Sequence, residues 1–261
     1  MLLHYWFLLP VGIAIATLVM SAGVSGATLW VPVYLLWLRL DVPLAFWLGL
    51  LTMLFGFGSG VYRNWRDGTY DRALVQYYLA FSIPAAFVAG WFSAFINQRA
   101  LVAVFGIFLL IYGVIIAART LRRDQVDVRR DSGSYLAALI GGVLTGLISI
   151  GIGVLALPAV LRHRSIERPA EGIGTLVIII FFTSLAATLG HLRPSFVMQL
   201  SHELRNIGAI MLWAAPAVVI GGQIGPRLSR MLPSERHARL YFSVVLLMIG
   251  IVTLLRAQGV A

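Results

Sequence analysis

The chain has 261 residues, of which 60% are hydrophobic and 11% are charged, and its mean hydropathy is +0.91. A soluble domain carries roughly 25% charged residues, so this composition excludes a soluble globular enzyme and a disordered chain. All 20 basic residues are arginine, and ten acidic residues leave a formal net charge of +10. The absence of cysteine excludes disulfides, thiolate metal sites and cysteine nucleophiles.

Eight apolar segments free of Asp, Glu and Arg follow one another along the chain. Most approach or exceed the roughly 20 residues that cross a bilayer, and the last extends to Arg256, whose long side chain can reach the interface. The runs do not alternate in polarity as barrel strands do. The first run lacks a positive start and is too long for a signal peptide. We therefore expect an all-α polytopic membrane protein with segments at 5–38, 42–62, 73–98, 100–118, 132–161, 172–192, 206–226 and 240–255.

The chain also repeats itself. A run of small residues that ends in proline occurs at 21–32 and again at 147–158, residues 58–63 align with 186–191, and residues 110–119 align with 247–256. The sequence therefore predicts two homologous halves of four segments each, 1–120 and 133–261. The arginine-rich linker 121–132 joins them, and we expect it to face the cytoplasm.

The arginines distinguish two topologies for these halves. If all eight segments cross, eleven arginines lie on the cytoplasmic side and nine on the other, which is almost no bias. If the first segment of each half enters, breaks at its small-residue run and returns, the count becomes 15 to 5 and the halves are inverted. The pattern favours inverted repeats with broken first segments, a recurrent transporter design. Eight plain crossings stay open as the alternative.

The two small-residue runs are candidate anion sites, because glycine lets a ligand approach the backbone, serine and threonine add hydroxyl donors, and half-helix N-termini favour negative charge. Close packing of helices is the alternative explanation. The candidate substrate-binding residues of the two runs are Ser21, Gly23, Ser25, Gly26, Thr28, Ser149, Gly151 and Gly153.

The second segment of each half supplies further candidates. Arg63 and His191 occupy matching positions at the ends of these segments and could attract an anion. The hydroxyls of the same segments could line a pathway, or could bond back to the carbonyl four residues earlier, as is common in membrane helices. These hydroxyl candidates are Ser59, Thr183, Ser184 and Thr188.

Acidic residues and tryptophans both fall at the ends of the segments. Asp41, Asp67, Asp71, Glu167, Glu171, Glu203 and Glu235 are placed at segment ends or in loops. A cation carrier or proton pump usually keeps an acid in the membrane, so this placement favours an anionic substrate. The seven tryptophans mostly lie near segment ends too, as expected of an interfacial belt.

These motifs resemble those of the TauE/SafE family, the sulfite exporter or 4-toluenesulfonate uptake permeases, over nearly the whole chain. Residues 146–153 resemble the family's Gly-Ile-Gly-Gly-Gly loop, and residues 182–191 resemble its Thr-Ser…Gly-His helix. The first half departs, since Ser25-Gly26-Ala27 replaces a glycine triplet and Gly56-Phe57-Gly58 replaces Thr-Ser. The resemblance implies transport of small anions such as sulfite, sulfonates and sulfoacetate.

Together these features predict a secondary transporter for a small anion in the cytoplasmic (inner) membrane, working by alternating access. An intramembrane enzyme that uses His191, or an anion channel, are the alternatives. We expect no catalytic residue, metal or cofactor, no nucleic-acid partner, and contacts with the lipid bilayer. Glycine faces such as Gly221-Gly222 leave a homo-oligomer open. The particular anion, the direction of transport and the coupling ion are not readable from the sequence.

Overall fold

A computed structural model describes residues 2–22, 26–122, 134–231 and 235–259. Throughout these residues the chain forms helices and turns and no strand. A 3₁₀ turn at Leu2–Tyr5 precedes ten α-helices: α1 (Leu8–Ala22), α2 (Ala27–Pro32, continued as a π-helix over Val33–Trp37), α3 (Val42–Asp67), α4 (Arg72–Phe92, followed by a 3₁₀ turn at Ser93–Phe95), α5 (Gln98–Arg122), α6 (Tyr135–Ile148), α7 (Gly153–Leu161), α8 (Pro169–Gly190), α9 (Pro194–Met231) and α10 (Glu235–Ala257).

Six of the described helices are long and apolar enough to cross a membrane, which confirms a polytopic helical protein. The remaining apolar helices are shorter, at Leu8–Thr17, Thr28–Trp37 and Tyr135–Ile148, and they belong to the predicted segments 5–38 and 132–161. The six candidate spans are Val42–Asp67, Arg72–Phe95, Gln98–Leu121, Pro169–Gly190, Pro194–Ile224 and Leu240–Ala257. Most of the predicted linker, at 123–133, lies outside the described residues.

Local sequence explains where several helices begin and end. Asp71 caps α4, because its side chain accepts a hydrogen bond from the amide of Leu74 at 2.9 Å. Ser134 caps α6 in the same way through the amide of Ala137. Helix α3 ends at Gly68, whose left-handed backbone (φ 63°) favours glycine and stops the helix.

One predicted boundary is wrong. The sequence predicts an apolar segment from residue 206, but α9 begins at Pro194 and so includes Glu203 in its third turn. Glu203 therefore lies neither in a loop nor at a helix end. Its carboxylate accepts a hydrogen bond from Asn206 at 3.2 Å, and this local partner explains why a charged residue is tolerated near the start of a long helix.

Helices of the two halves pack in reciprocal pairs. Helix α1 lies against α9 and α6 lies against α4, while α3 lies against α8 and α5 against α10. The α1–α9 and α4–α6 pairs run parallel, because neighbours advance together along both helices: Gly12 meets Ala217 and Ala16 meets Gly221. The α3–α8 and α5–α10 pairs run antiparallel, since positions that advance along one helix meet positions that recede along the other.

The first segment of each half is a helix, a break and a short second helix. Helix α7 folds back on α6, because Ile152 packs on Gly141, and it runs antiparallel to α8, because Gly153 meets Ile180 and Gly172 meets Leu161. In the first half Trp30 of α2 packs on Gly12 of α1, so these two helices also form a hairpin. The predicted break in the second half is present at 149–152. In the first half α1 ends at Ala22 and α2 begins at Ala27, and residues 23–25, where the break is predicted, lie outside the described part of the chain.

Both hairpins meet in one buried cluster at the middle of the bundle. Residues that flank the two breaks share this cluster with α3, α5 and α10. The flanking members are Val19, Leu29, Val31, Ile148 and Ile150, all buried. Glycine at position 49 of α3 allows the meeting, because Val31 of α2 and Ser149 of the second break both lie against it.

Candidate functional site

The second break is closed by its own polar groups and by apolar side chains. Ser149 has a left-handed backbone (φ 58°), and its buried hydroxyl donates to the carbonyl oxygen of Phe46 on α3 at 2.8 Å. The hydroxyl of Thr145 lies 2.6 Å from the carbonyl of Gly141 and 2.9 Å from that of Ile150, across the break. Of the sequence candidates here, Ser149, Gly151 and Gly153 are all buried.

Isoleucine side chains cover the start of α7. A Cβ added to Gly153 would lie 2.6 Å from Cδ1 of Ile180. The Ile180 side chain therefore fills the space beside this glycine, where a ligand would have to bind. Ile152, which precedes it, is fully buried against α6. The structure therefore shows the packing alternative at Gly153 and no open space beside it.

The first break differs, because it borders a small cavity. Helix α2 begins after Gly26, whose carbonyl accepts hydrogen bonds from Leu29 and Trp30 at 3.2 Å each. The cavity lies between α1, the start of α2, α3 and α9. Its apolar wall is formed by Ala16, Val19, Met53, Phe57 and Val218.

The remaining lining consists of two glycines and two side chains with polar atoms, namely Gly26, Gly56, Trp30 and Thr52. None of the described residues that line the cavity is charged. Of the sequence candidates for the first run, only Gly26 lines this cavity among the described residues. Thr28 is fully buried in the first turn of α2, while the side chain of Ser21 and the whole of Gly23 and Ser25 lie outside the described residues.

Trp30 places a hydrogen-bond donor at the cavity. The side chain is 1% exposed, and within the described part of the chain its Nε1 has no hydrogen-bond partner. A Cβ added to Gly26 would lie 4.0 Å from Cδ1 of the ring, and one added to Gly12 would lie 2.7 Å from Cζ2. Nε1 sits on the ring edge between these two carbons, and the Trp30 side chain lines the cavity together with Ala16 and Val19.

A short chain of hydroxyls holds the tryptophan in place. Trp30 stacks on Tyr34 with ring centroids 5.4 Å apart and an interplanar angle of 28°. Thr52 donates its one hydroxyl hydrogen to the carbonyl of Leu48 at 2.7 Å. In the hydrogen bond between Thr52 Oγ1 and the Tyr34 hydroxyl, also 2.7 Å long, Tyr34 is therefore the donor. These buried hydrogen bonds fix the aromatic pair against α3.

The predicted hydroxyls of α8 are buried and serve different purposes. Thr183 shares a hydrogen bond of 2.7 Å with Ser82 of α4, and Thr188 donates to the carbonyl of Ser184 four residues earlier at 2.7 Å. Thr188 thus follows the back-bonding alternative. The hydroxyl of Ser184 is buried and, among the described residues, has no partner. Ser59 of α3 is exposed at the bundle surface.

The two predicted cationic partners are not brought together. His191 is 6% exposed and lies just beyond α8, where its Nε2 donates to the carbonyl of Gly146 at 2.8 Å and its Nδ1 lies 3.2 Å from the hydroxyl of Ser93. Arg63 is exposed near the end of α3. Because α3 and α8 run antiparallel, these two helix ends lie at opposite ends of the bundle. His191 joins α4, α6 and α8 where Gly90 and Gly146 bring their backbones close.

Most residues of the cavity lining carry no signal in the sequence that singles them out. Trp30 is an exception to the interfacial belt expected of most tryptophans, because its side chain is buried, whereas Trp6, Trp37 and Trp65 are exposed as that belt predicts. The one available signal was the position of Trp30, four residues after Gly26 within the repeated run. Among the described residues, no group of His, Asp or Glu could hold a metal ion.

Comparisons with known proteins place the chain in a family. The sequence model described as sulfite exporter TauE/SafE matches residues 8–253. A probable membrane transporter protein of Methanocaldococcus jannaschii, MJ0441, is 26% identical over 166 residues, which cover 62% of this chain and 60% of that protein. The probable membrane transporter protein YunE of Bacillus subtilis is 25% identical over 127 residues, which cover 46% of this chain and 43% of that one.

No solved structure matches the chain at a comparable level. The aligned regions span less than two thirds of either relative, whereas the family match covers nearly the whole chain. This chain therefore belongs to the sulfite exporter TauE/SafE family.

Proposed function

We propose that this protein is a secondary transporter that moves a small anion across the cytoplasmic membrane by alternating access. Sulfite, a sulfonate, or a related organosulfur or carboxylate anion is the proposed cargo. The observation that carries the proposal is the buried Nε1 of Trp30, which has no hydrogen-bond partner among the described residues, in a side chain that lines a cavity with no charged residue in its described lining. An N–H group can donate a hydrogen bond but cannot accept one, so its natural ligand is an acceptor such as an anionic oxygen.

The reciprocal helix pairs support an arrangement of two inverted halves, 1–120 and 133–261. In such an arrangement each helix of one half has an equivalent in the other that runs in the opposite direction. The antiparallel α3–α8 and α5–α10 pairs fit this description. So does the reciprocal packing in which α1 of the first half contacts α9 of the second, and α6 of the second half contacts α4 of the first. Two halves that can rock against each other around a shared site are the basis of alternating access.

The arginines supply the proposed orientation. The turn after α3 and the start of α8 lie at one end of the bundle, where the amide of Asp71 donates to Thr175 at 2.8 Å. The C-terminal end of α5 and the N-terminal end of α6, which flank the arginine-rich linker, lie at the same end. The inverted arrangement predicts that fifteen of the 20 arginines lie at this end, the other five being Arg39, Arg99, Arg193, Arg205 and Arg256. The arginine-rich end is the proposed cytoplasmic side.

Reporter fusions after residues 165 and 232 test the topology. Both positions lie at the arginine-rich end in the inverted arrangement, so both fusions should report the cytoplasm. A fusion after residue 40, at the opposite end, is the matched control and should report the other side. Signals from outside the cytoplasm at both 165 and 232 would contradict the arrangement.

Flux into proteoliposomes tests the transport itself. Purified protein reconstituted into vesicles should take up labelled sulfite with saturable kinetics, and unlabelled sulfonate should compete. Flux that rises linearly with concentration would indicate a channel instead. No flux of sulfite, sulfonates or carboxylates would overturn the proposal. Catalysis by His191 receives no support from its surroundings, because both ring nitrogens face protein partners.

A further inference from the structure

The two hairpins look alike in sequence but offer a ligand different surroundings. In the second hairpin the Ser149 hydroxyl is bonded to Phe46, and Ile180 lies over Gly153. In the first hairpin the corresponding space beside Gly26 is the cavity, and the nearest atom to a Cβ added to Gly26 is Cδ1 of Trp30 at 4.0 Å. Among the described residues, a cavity therefore lies beside Gly26 of the first hairpin, whereas Gly153 of the second is covered by Ile180.

The polar groups show the same asymmetry. The side-chain hydroxyls at the second break, those of Thr145 and Ser149, both have protein acceptors. At the first break the indole N–H of Trp30 is 99% buried and, within the described residues, has none. A buried donor without a partner destabilises the folded protein, and such a group calls for an explanation such as a ligand or a water molecule that accepts its hydrogen bond.

We infer that the cargo binds on the first hairpin alone, with an anion oxygen accepting a hydrogen bond from Nε1 of Trp30, while the second hairpin is a packed support. This inference rests on the proposed transport of a small anion. Tyr34 and Thr52 position the indole, because Tyr34 stacks on it and Thr52 fixes the Tyr34 hydroxyl.

The cavity wall selects the class of anion. The described lining contains no arginine, histidine or lysine that would neutralise a charge, and most of the wall is apolar. The cost of moving an ion out of water rises with the square of its charge, so a dianion loses about four times as much hydration energy as a monoanion. The site therefore favours a singly charged anion with an apolar part, such as a small alkyl sulfonate or carboxylate, over a dianion such as sulfate.

Trp30→Phe removes the donor and retains an aromatic ring to stack on Tyr34. In proteoliposomes its KM for a labelled small sulfonate should rise roughly ten- to hundredfold, which is the usual effect of losing a hydrogen bond to a charged group. Trp47→Phe is the matched control. Trp47 also has a buried Nε1 without a partner among the described residues, but it packs on Phe196 away from the cavity. Its KM should stay within about twofold of wild type.

A second variant keeps the test decisive if Trp30→Phe does not insert. Gly56→Ala adds a methyl group at the cavity wall, with only Val218 nearby at 3.7 Å, so the fold should accept it. The added methyl should raise KM for the sulfonate. In the wild-type protein, sulfate should inhibit sulfonate uptake more than tenfold more weakly than a second sulfonate does. Wild-type KM in both variants, or equal competition by sulfate, would overturn the inference while leaving transport established. No flux in the wild-type protein would instead overturn the proposed function.

Discussion

The crossing of α4 and α6 makes a quantitative prediction about a single methyl group. At this crossing, Gly146 lies directly against the backbone of α4, and its carbonyl accepts the hydrogen bond from His191. In Gly146→Ala the new Cβ would lie 2.7 Å from the amide nitrogen of Gly90, 2.8 Å from Cβ of Ala89, and closer still to the carbonyl oxygen of Ala86.

The size of the effect follows from these distances. Ordinary van der Waals contact begins near 3.4 Å, so the two helices must separate by roughly 1 Å, and backbone atoms cannot turn away as a side chain can. Overpacking of this kind costs about 1–3 kcal/mol. Displacement of the Gly146 carbonyl also weakens the His191 hydrogen bond, which contributes about 1 kcal/mol. We expect Gly146→Ala to lower the free energy of unfolding by about 2–4 kcal/mol.

Denaturation of the purified protein in mixed detergent micelles, followed by tryptophan fluorescence, measures this difference. Gly208→Ala is the matched control, because Gly208 lies inside α9 with nothing within 4 Å of an added Cβ. That variant should be as stable as wild type or more stable by about 0.5–1 kcal/mol, since alanine favours helix over glycine. Equal unfolding energies for the two variants would refute the close-packing argument.

Two further predictions concern single polar groups. Ser149→Ala should destabilise the protein by about 1 kcal/mol by removing the hydrogen bond to Phe46, whereas Ser201→Ala, which removes an exposed hydroxyl on α9, should have no measurable effect in the same assay. For Asp71, burial opposes ionisation, but hydrogen bonds from Ser165 and from the backbone outweigh it and hold the pKa below the usual value. The folded pKa is the lower one, so Asp71 stabilises the protein fully above pH about 4 and loses this effect as the pH falls through the folded pKa. Asp71→Ala should therefore cost about 1 kcal/mol at pH 7, and the difference from wild type should shrink in acid; a constant difference down to pH 3 would contradict this account.

The sequence predicts the helices and the break of the second half well because both leave strong local signals. Twenty-residue apolar runs admit only helices in a bilayer, since every backbone group must be satisfied within the chain. The break at Ser149 is likewise visible as a run of small residues, which favour non-helical backbone. The start of α9 is missed because Glu203 and Arg205 interrupt the apolar pattern, although the third turn of a long helix accommodates them, with Asn206 donating a hydrogen bond to Glu203.

The site is harder to predict because it depends on which neighbour fills each space. The runs at 21–32 and 147–158 are similar, yet Ile180 covers the second, whereas among the described residues no side chain lies closer to an added Cβ of Gly26 than 4.0 Å. The orientation of Trp30 depends on Gly12 and Tyr34, which lie on two different helices. The only local sign of a buried Trp30 is its place four residues after Gly26 within the repeated run, and the apolar residues around it do not distinguish a buried tryptophan from an interfacial one. His191 is the opposite case, a residue that the sequence suggests for the site and that the structure places elsewhere. Its ring bonds to Gly146 and contacts Ser93, so it joins helices and does not line the cavity.

Exchange across the membrane tests the central claim, that the protein is a carrier whose single site faces one side at a time. Proteoliposomes are loaded with unlabelled sulfonate or left empty, and the initial entry of labelled sulfonate is measured. A carrier returns faster with cargo bound, so preloading should accelerate entry several-fold and Trp30→Phe should weaken this acceleration, while Trp47→Phe should retain it. Entry at the same rate into loaded and empty vesicles would contradict the account.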